Sequence, residues 1–428
     1  MYDEINKNEN ILLKYLEQAD YYKKIKDYQS AIDCYEKFLQ IDNSKASVCT
    51  ITADLYSKLN GSESINRQIE LYEQAYKLNP ESRLALHGLA FGYEKSGLND
   101  KAKIFYEKLL ENNPTENDFY NYGGFLIRCG DFKNGHKFFA HRFNIDDINL
   151  KYPSNINKKW DFISDISDKV LLVHYEQGFG DSIMYCRFVP FLKNLAKKII
   201  FVVQEELFDL ISKSEIFKGV EIITNETNID YDFNIALLDV PNVLNIDSNN
   251  LPFTSKYIDV NEDSVKNYKN KFLGNDNIFR IGISCKGENS ANYSERDIEI
   301  SEIFNLFKDI SGIKLYNLQK DADKFDNITQ LGKTFENFTD SACAVENMDL
   351  IISTDNVILN LAGALGIKTI GLFNKETNYR WFKTSGDNIG WYESVYPLQN
   401  KKQNDWNDVL SKLSETVLKY YKYSDIIK

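Results

Sequence analysis

An α-helical repeat array followed by two α/β domains is the fold class that the sequence predicts. Three observations lead to it. Segments 19–43 and 90–114 align with Tyr22 on Tyr93, Ala31 on Ala102 and Tyr35 on Tyr106, each offset by 71 residues, close to two periods of about 34. Beyond residue 168 the pattern changes to short apolar, β-branched runs that alternate with helical stretches, the mark of βαβ units and a parallel sheet. A second series of the same kind begins near residue 278.

The first third is taken as helical hairpins. Between the two aligned copies lies a third, with Ala53, Tyr56, Tyr72, Ala75 and Pro80, and a weaker fourth follows with Gly123, Gly130, Phe132, Gly135 and Phe139. Small residues such as Ala31, Ala102 and Gly135 let two helices approach closely. Aromatic residues fill the space between hairpins, and Pro80 and Pro114 stand where the second helix of a pair must stop. This spacing resembles tetratricopeptide repeats. Such arrays stack into a groove that holds extended chains, so the segment by itself implies a scaffold.

In the first α/β series the expected strands are 170–175, 198–203, 220–224 and 234–238, with helices from about 181 to 195 and from 205 to 214. In the second series they are 279–284, 314–318, 349–354 and 368–373, with helices near 301–310, 338–346 and 357–365 and a further helix from about 406. The expected domains are residues 1–145, 146–262 and 263–428. Two consecutive α/β domains commonly bind a ligand between them.

Composition narrows the function. A net charge of −12 disfavours nucleic acid as partner. No apolar run reaches the roughly 20 residues of a spanning helix, and the polar start at residues 1–10 does not read as a signal peptide; a cytoplasmic location with reduced thiols is expected. No two of the six cysteines are closely spaced and the four histidines form no HxxxH pair, so no metal site is expected.

Three segments could carry chemistry. The first is Glu176-Gln177-Gly178-Phe179-Gly180-Asp181, directly after the first strand. Gly178 and Gly180 suit a tight strand-to-helix turn, and Asp181 stands at the helix start, where capping is its ordinary role. The second runs from Ser353-Thr354-Asp355-Asn356 to Asn360-Leu361-Ala362-Gly363-Ala364. There a strand ends and a helix begins, and free N–H groups at such a start favour a diphosphate. Ala362 and Gly363 allow close approach of either a ligand or the sheet. The third is Cys285-Lys286-Gly287-Glu288-Asn289 with Arg296-Asp297. Lys286 and Arg296 suit a leaving diphosphate, or else are solvated loop charges. Asp321-Ala-Asp323 also has the DxD form of metal-dependent transferases, but flanking Lys320 and Lys324 make a solvated loop the better reading.

Residues 160–406 resemble the bacterial tetratricopeptide proteins whose C-terminal half is similar to lipopolysaccharide heptosyltransferases. The resemblance rests on LLVHYEQGFGDSIMYCRFVPFL, DFNIALLDVPNVL, IGISCKGENSANYSERDIEI, YNLQKD, MDLIISTDNVILNLAGALGIKTIGLF, YRWF and IGWYESVYPLQ, in that order. It implies the GT-B fold, two Rossmann-like domains facing across a cleft, and a glycosyltransferase acting on a nucleotide-sugar donor as substrate, without a further cofactor. It also implies roles: Asp181 as general base; Asp355, Ala362 and Gly363 in the donor-binding segment; Arg296 near the phosphate. The chain departs from the family pattern DTxxxHLAGAL at Asn356 and Asn360, and Cys285 replaces a common tryptophan. Asparagine at either place can donate a hydrogen bond to phosphate or sugar but carries no charge. The acceptor is expected to be a protein or protein-bound glycan recruited by the repeats. The rival reading is a non-catalytic repeat scaffold on a degenerate transferase module.

Overall fold

The computed structural model describes residues 2–59, 62–145, 152–287, 296–320, 325, 328–375, 377–382, 390–401 and 405–427. Glu288, Asn289, Asp321, Asp323 and Lys324 lie outside the described residues. The chain forms two compact units, Met1–Phe125 and Leu126–Lys428.

The first unit is helical throughout, as its repeat spacing requires. α1 (Tyr2–Lys24) packs on α2 (Tyr28–Ile41), α3 (Ala46–Tyr56) on α4 (Ser62–Leu78), and α5 (Arg83–Lys95) on α6 (Asn99–Glu111). α7 (Glu116–Arg128) follows. Ala31, Ala75 and Ala102 are fully buried, so the small residues do sit at the closest helix approaches. The recurring tyrosines have a polar task as well: Tyr56 Oη donates to Glu36 at 3.1 Å, Tyr122 Oη to Glu107 at 3.1 Å, and Tyr93 Oη to Glu73. Each bond satisfies a phenol with a carboxylate from an earlier helix; Tyr93 and Tyr122 are buried.

The second unit begins at Leu126, inside α7, and continues into α8 (Phe132–Phe139). Within it Phe132 lies 4.5 Å from Phe382 and 5.2 Å from Trp391, and Phe139 lies 4.7 Å from Tyr379, ring centre to ring centre.

The α/β part then runs β1 (Val170–His174), α9 (Phe179–Tyr185), β2 (Lys198–Val202), α10 (Glu205–Ser212), β3 (Glu221–Ile223), β4 (Phe233–Ala236), α11 (Val240–Val243) and α12 (Glu262–Phe272). It continues with β5 (Phe279–Ser284), α13 (Ile300–Phe307), β6 (Ile313–Asn317), β7 (Thr329–Gln330), α14 (Phe338–Glu346), β8 (Leu350–Thr354), α15 (Val357–Ala364), β9 (Thr369–Phe373), β10 (Val395–Gln399) and α16 (Asn407–Ile427). The strands form two parallel sheets, ordered β3-β2-β1-β4 and β10-β9-β8-β5-β6-β7. The fold is thus a tetratricopeptide-like helical region followed by two α/β halves. The helix expected over 181–195 stops at Tyr185 and continues as a 3₁₀ segment, Cys186–Asn194, because Pro190 has no N–H to give an α-helical bond. β10 was not anticipated; it carries Pro397 and lies at the sheet edge, where a missing donor is tolerated. No helix among the described residues is long and apolar enough to cross a membrane.

Two features brace the first half. Arg142 is buried and donates through Nε to Glu176 at 2.9 Å, through Nη2 to Glu176 at 2.5 Å and through Nη1 to Asp239 at 2.5 Å. Glu176 also accepts from the Leu238 N–H at 3.1 Å, so one guanidinium ties the ends of β1 and β4 together. The second feature is Arg187, also fully buried, which donates to the carbonyls of Met184 (2.9 Å), Phe253 (3.1 Å) and Trp391 (2.8 Å) and to Tyr257 Oη (2.9 Å). Its plane is enclosed by the rings of Tyr257, Trp391 and Tyr392.

Burial also depresses two imidazoles. His136 and His174 are both pushed down to about 4 from the ordinary 6.5. Between these values the unfolded chain binds protons that the native unit does not. Stability is therefore complete above the ordinary value and falls as pH drops, by up to about 2.7 kcal/mol per pH unit for the pair. Urea midpoints at about pH 7 and about pH 5 should differ accordingly, and His136→Gln with His174→Gln should flatten the dependence. A midpoint that stays level in the wild type would mean the two rings are not held neutral.

Candidate functional site

Sheet order locates the site. In an open parallel sheet a crevice forms where the strand order reverses, at the carboxyl ends of the strands. Here the reversals lie between β1 and β4 and between β5 and β8. All three segments singled out in the sequence are the loops after β1, β5 and β8.

The β1 loop enters the left-handed region at Gln177 (φ 61°), and Gly178 is the N-cap of α9. Asp181 is therefore not the cap itself. It is the third helical residue, and its Oδ2 accepts the Gly178 N–H at 3.3 Å. A Cβ on Gly180 would stand 3.1 Å from Asn360 Nδ2 and 3.8 Å from Val357 Cα. Its bareness lets α9 touch the start of α15, so the two halves meet at this point.

The β8 loop is spent largely on holding itself. Asn356 caps α15, accepting the Ile358 N–H at 2.9 Å, while its Nδ2 donates to the Ser284 carbonyl at 3.1 Å and to Ser284 Oγ at 3.1 Å. It thereby pins the end of β5 to the end of β8. Asn360 is 5% exposed; Nδ2 donates to the Asn356 carbonyl at 3.2 Å and Oδ1 accepts from Tyr392 Oη at 2.9 Å. Ala362 is fully buried, and a Cβ on Gly363 would fall 2.4 Å from the Tyr392 ring. Both positions pack closely in this structure.

Both cations of the β5 loop have carboxylate partners. Lys286 Nζ lies 3.0 Å from Glu299, and Arg296 Nη1 donates to Asp355 Oδ2 at 3.1 Å and to the Asp355 carbonyl at 2.9 Å.

One residue of the site escaped sequence reasoning. Arg380, in the loop after β9, forms an ion pair through Nε with Asp181 Oδ1, and its Nη2 donates to Gln177 Oε1 at 2.6 Å. Both charged side chains are nearly enclosed, at 15% and 12% exposure. The local signal was Tyr379-Arg380-Trp381-Phe382, an arginine set among aromatics, which marks a held backbone but not the partner of the guanidinium. Burial raises the Asp181 carboxyl above its ordinary value, against the opposing pull of Arg380 and with a smaller push from Asp355. Arg380 itself is held more firmly protonated by Asp181 and other neighbours. The result is a row of alternating charge, Asp181, Arg380, Asp355 and Arg296, where the two halves meet. Among the described residues no group of three or more His, Cys, Asp or Glu is placed to hold a metal ion.

Residues 15–45 and 85–116 match the tetratricopeptide repeat family. The helical unit is thus a tetratricopeptide repeat region. Anaphase-promoting complex subunit 3 of Schizosaccharomyces pombe is 23% identical over 123 residues, 28% of this chain, and the chain spans 18% of that protein's length. Among solved structures, MamA is 17% identical over 32% of this chain and 74% of its own, with a TM-score of 0.30. A glycosyl transferase family 9 protein from Veillonella parvula DSM 2008 is 12% identical over 61% of this chain and 99% of its own, with a TM-score of 0.45.

Proposed function

We propose that the chain is a glycosyltransferase that moves a sugar from a nucleoside-diphosphate donor to an acceptor recruited by the tetratricopeptide repeats. The observation that carries this reading is the convergence of Asp181 and Asp355 with Arg380 and Arg296 at the strand ends where the halves meet. Asp181 removes the acceptor proton; a carboxylate whose proton affinity is raised by burial is better suited to that task than an exposed one. The acceptor oxygen bonds to the anomeric carbon while the bond from that carbon to the diphosphate breaks. Guanidinium groups stabilise the departing diphosphate, so the reaction requires no metal. Asn356 and Asn360 act by positioning: they fix the β5 and β8 loops and the start of α15. The acceptor is a protein or protein-bound glycan, since repeat grooves hold extended chains, and the reaction is cytoplasmic.

A scaffold without activity is favoured by one observation, the engagement of Lys286 and Arg296 by carboxylates. Calorimetry of the whole chain with ADP, GDP, UDP and dTDP separates the two readings, with slow release of free sugar from the matching nucleotide sugar as the second measurement. Binding of one nucleotide together with sugar release is the expected result. Failure of both would leave the scaffold.

A further inference from the structure

The cations that sequence nominates for the diphosphate are both occupied, Lys286 by Glu299 and Arg296 by Asp355. The cation placed against the base is Arg380. Its main chain is immobilised on both sides. The Arg380 carbonyl accepts from Trp391 Nε1 at 2.6 Å, Trp381 packs on Phe373 with ring centres 5.0 Å apart, and Phe382 packs on Phe132 and Trp391. Its head reaches the β1 loop, where Nε forms an ion pair with Asp181 Oδ1. Nη2 leans on Gln177, a residue held in left-handed backbone.

This arrangement suits a change of partner. A carboxylate paired with a guanidinium is a poor proton acceptor, because the pairing favours its charged form. A nucleoside diphosphate carries more negative charge than one carboxylate and offers the bidentate geometry that a guanidinium matches best. Resting on the glycosyltransferase reading, we infer that Arg380 binds the donor diphosphate and, in leaving Asp181 for it, uncovers the base. In the step that follows, Asp181 takes the acceptor proton, the acceptor oxygen bonds to the anomeric carbon, and the electron pair of the broken carbon–oxygen bond remains on the diphosphate, where Arg380 neutralises it. Without donor, base and guanidinium neutralise each other, and water at the site meets no free base.

The test compares nucleoside mono- and diphosphates with the whole chain. ADP, GDP, UDP and dTDP, each beside its monophosphate, are titrated into wild type, Arg380→Gln and Arg380→Lys. Wild type should prefer a diphosphate. Arg380→Gln should weaken that diphosphate by roughly 10–100-fold, the worth of charged hydrogen bonds, with monophosphate affinity unchanged. Arg380→Lys should recover part of the loss, having charge without the planar fork. Equal loss for mono- and diphosphate would assign Arg380 a structural role and overturn the inference. So would full diphosphate affinity in Arg380→Gln, which leaves the glycosyltransferase reading intact. If the wild type binds none of the eight nucleotides, that reading falls first and this one with it.

Discussion

Arg142→Ala is expected to destabilise the Leu126–Lys428 unit by about 3–5 kcal/mol, the usual result of stripping a buried ion pair of one partner. The change leaves Glu176 and Asp239 facing each other without a cation. Burial already pushes the Asp239 carboxyl up, with Glu176 adding to the effect and Arg142 opposing it. Part of the loss should therefore appear as proton uptake on folding. The informative companion is the triple variant Arg142→Met, Glu176→Gln, Asp239→Asn, which removes all three charges at similar volume. It should recover part of the loss, since no uncompensated charge remains, while the buried amide N–H groups left without acceptors keep it below the wild type. Urea unfolding of both variants decides the matter. If the single substitution costs under about 1 kcal/mol, the network is not the brace that its burial suggests.

Asp181→Asn is expected to slow sugar transfer by roughly 10²–10⁴-fold, the range for a positioned general base. The amide keeps the shape and can still accept from the Gly178 N–H, but it cannot take a proton. Nucleotide affinity should not fall with it; a parallel loss of affinity would make Asp181 a binding group. The wild type should lose activity as pH falls through a value above the ordinary carboxylate range, because the enclosed carboxyl is protonated early. That acid limb should be missing from the variant's residual rate.

Much of the fold was legible because periodicity is a local property. The alanine and tyrosine spacing set the helical hairpins, and each apolar run in the α/β region became a strand within a residue or two of its expected ends. Short elements with weak patterns were not legible. β7 has two residues and β10 carries a proline, so neither resembles a strand in isolation. The site was legible as loops but not as contacts. Asp181, Asp355 and Arg296 were named from their loops, yet nothing local could tell that Gly180 makes room for Asn360, or that Gly363 makes room for Tyr392. For Arg380 the aromatic neighbours marked a held backbone but not the partner, which is about 200 residues away and is brought near only where the halves meet.

The enclosure of Arg187 bears on how the two α/β halves can move. Its donors reach the first half at Met184, the crossover at Phe253 and Tyr257, and the second half at Trp391. Swinging the halves apart at this edge would strand an arginine in a greasy box with its donors empty, a far dearer event than rotating a side chain. The seam is therefore riveted rather than hinged.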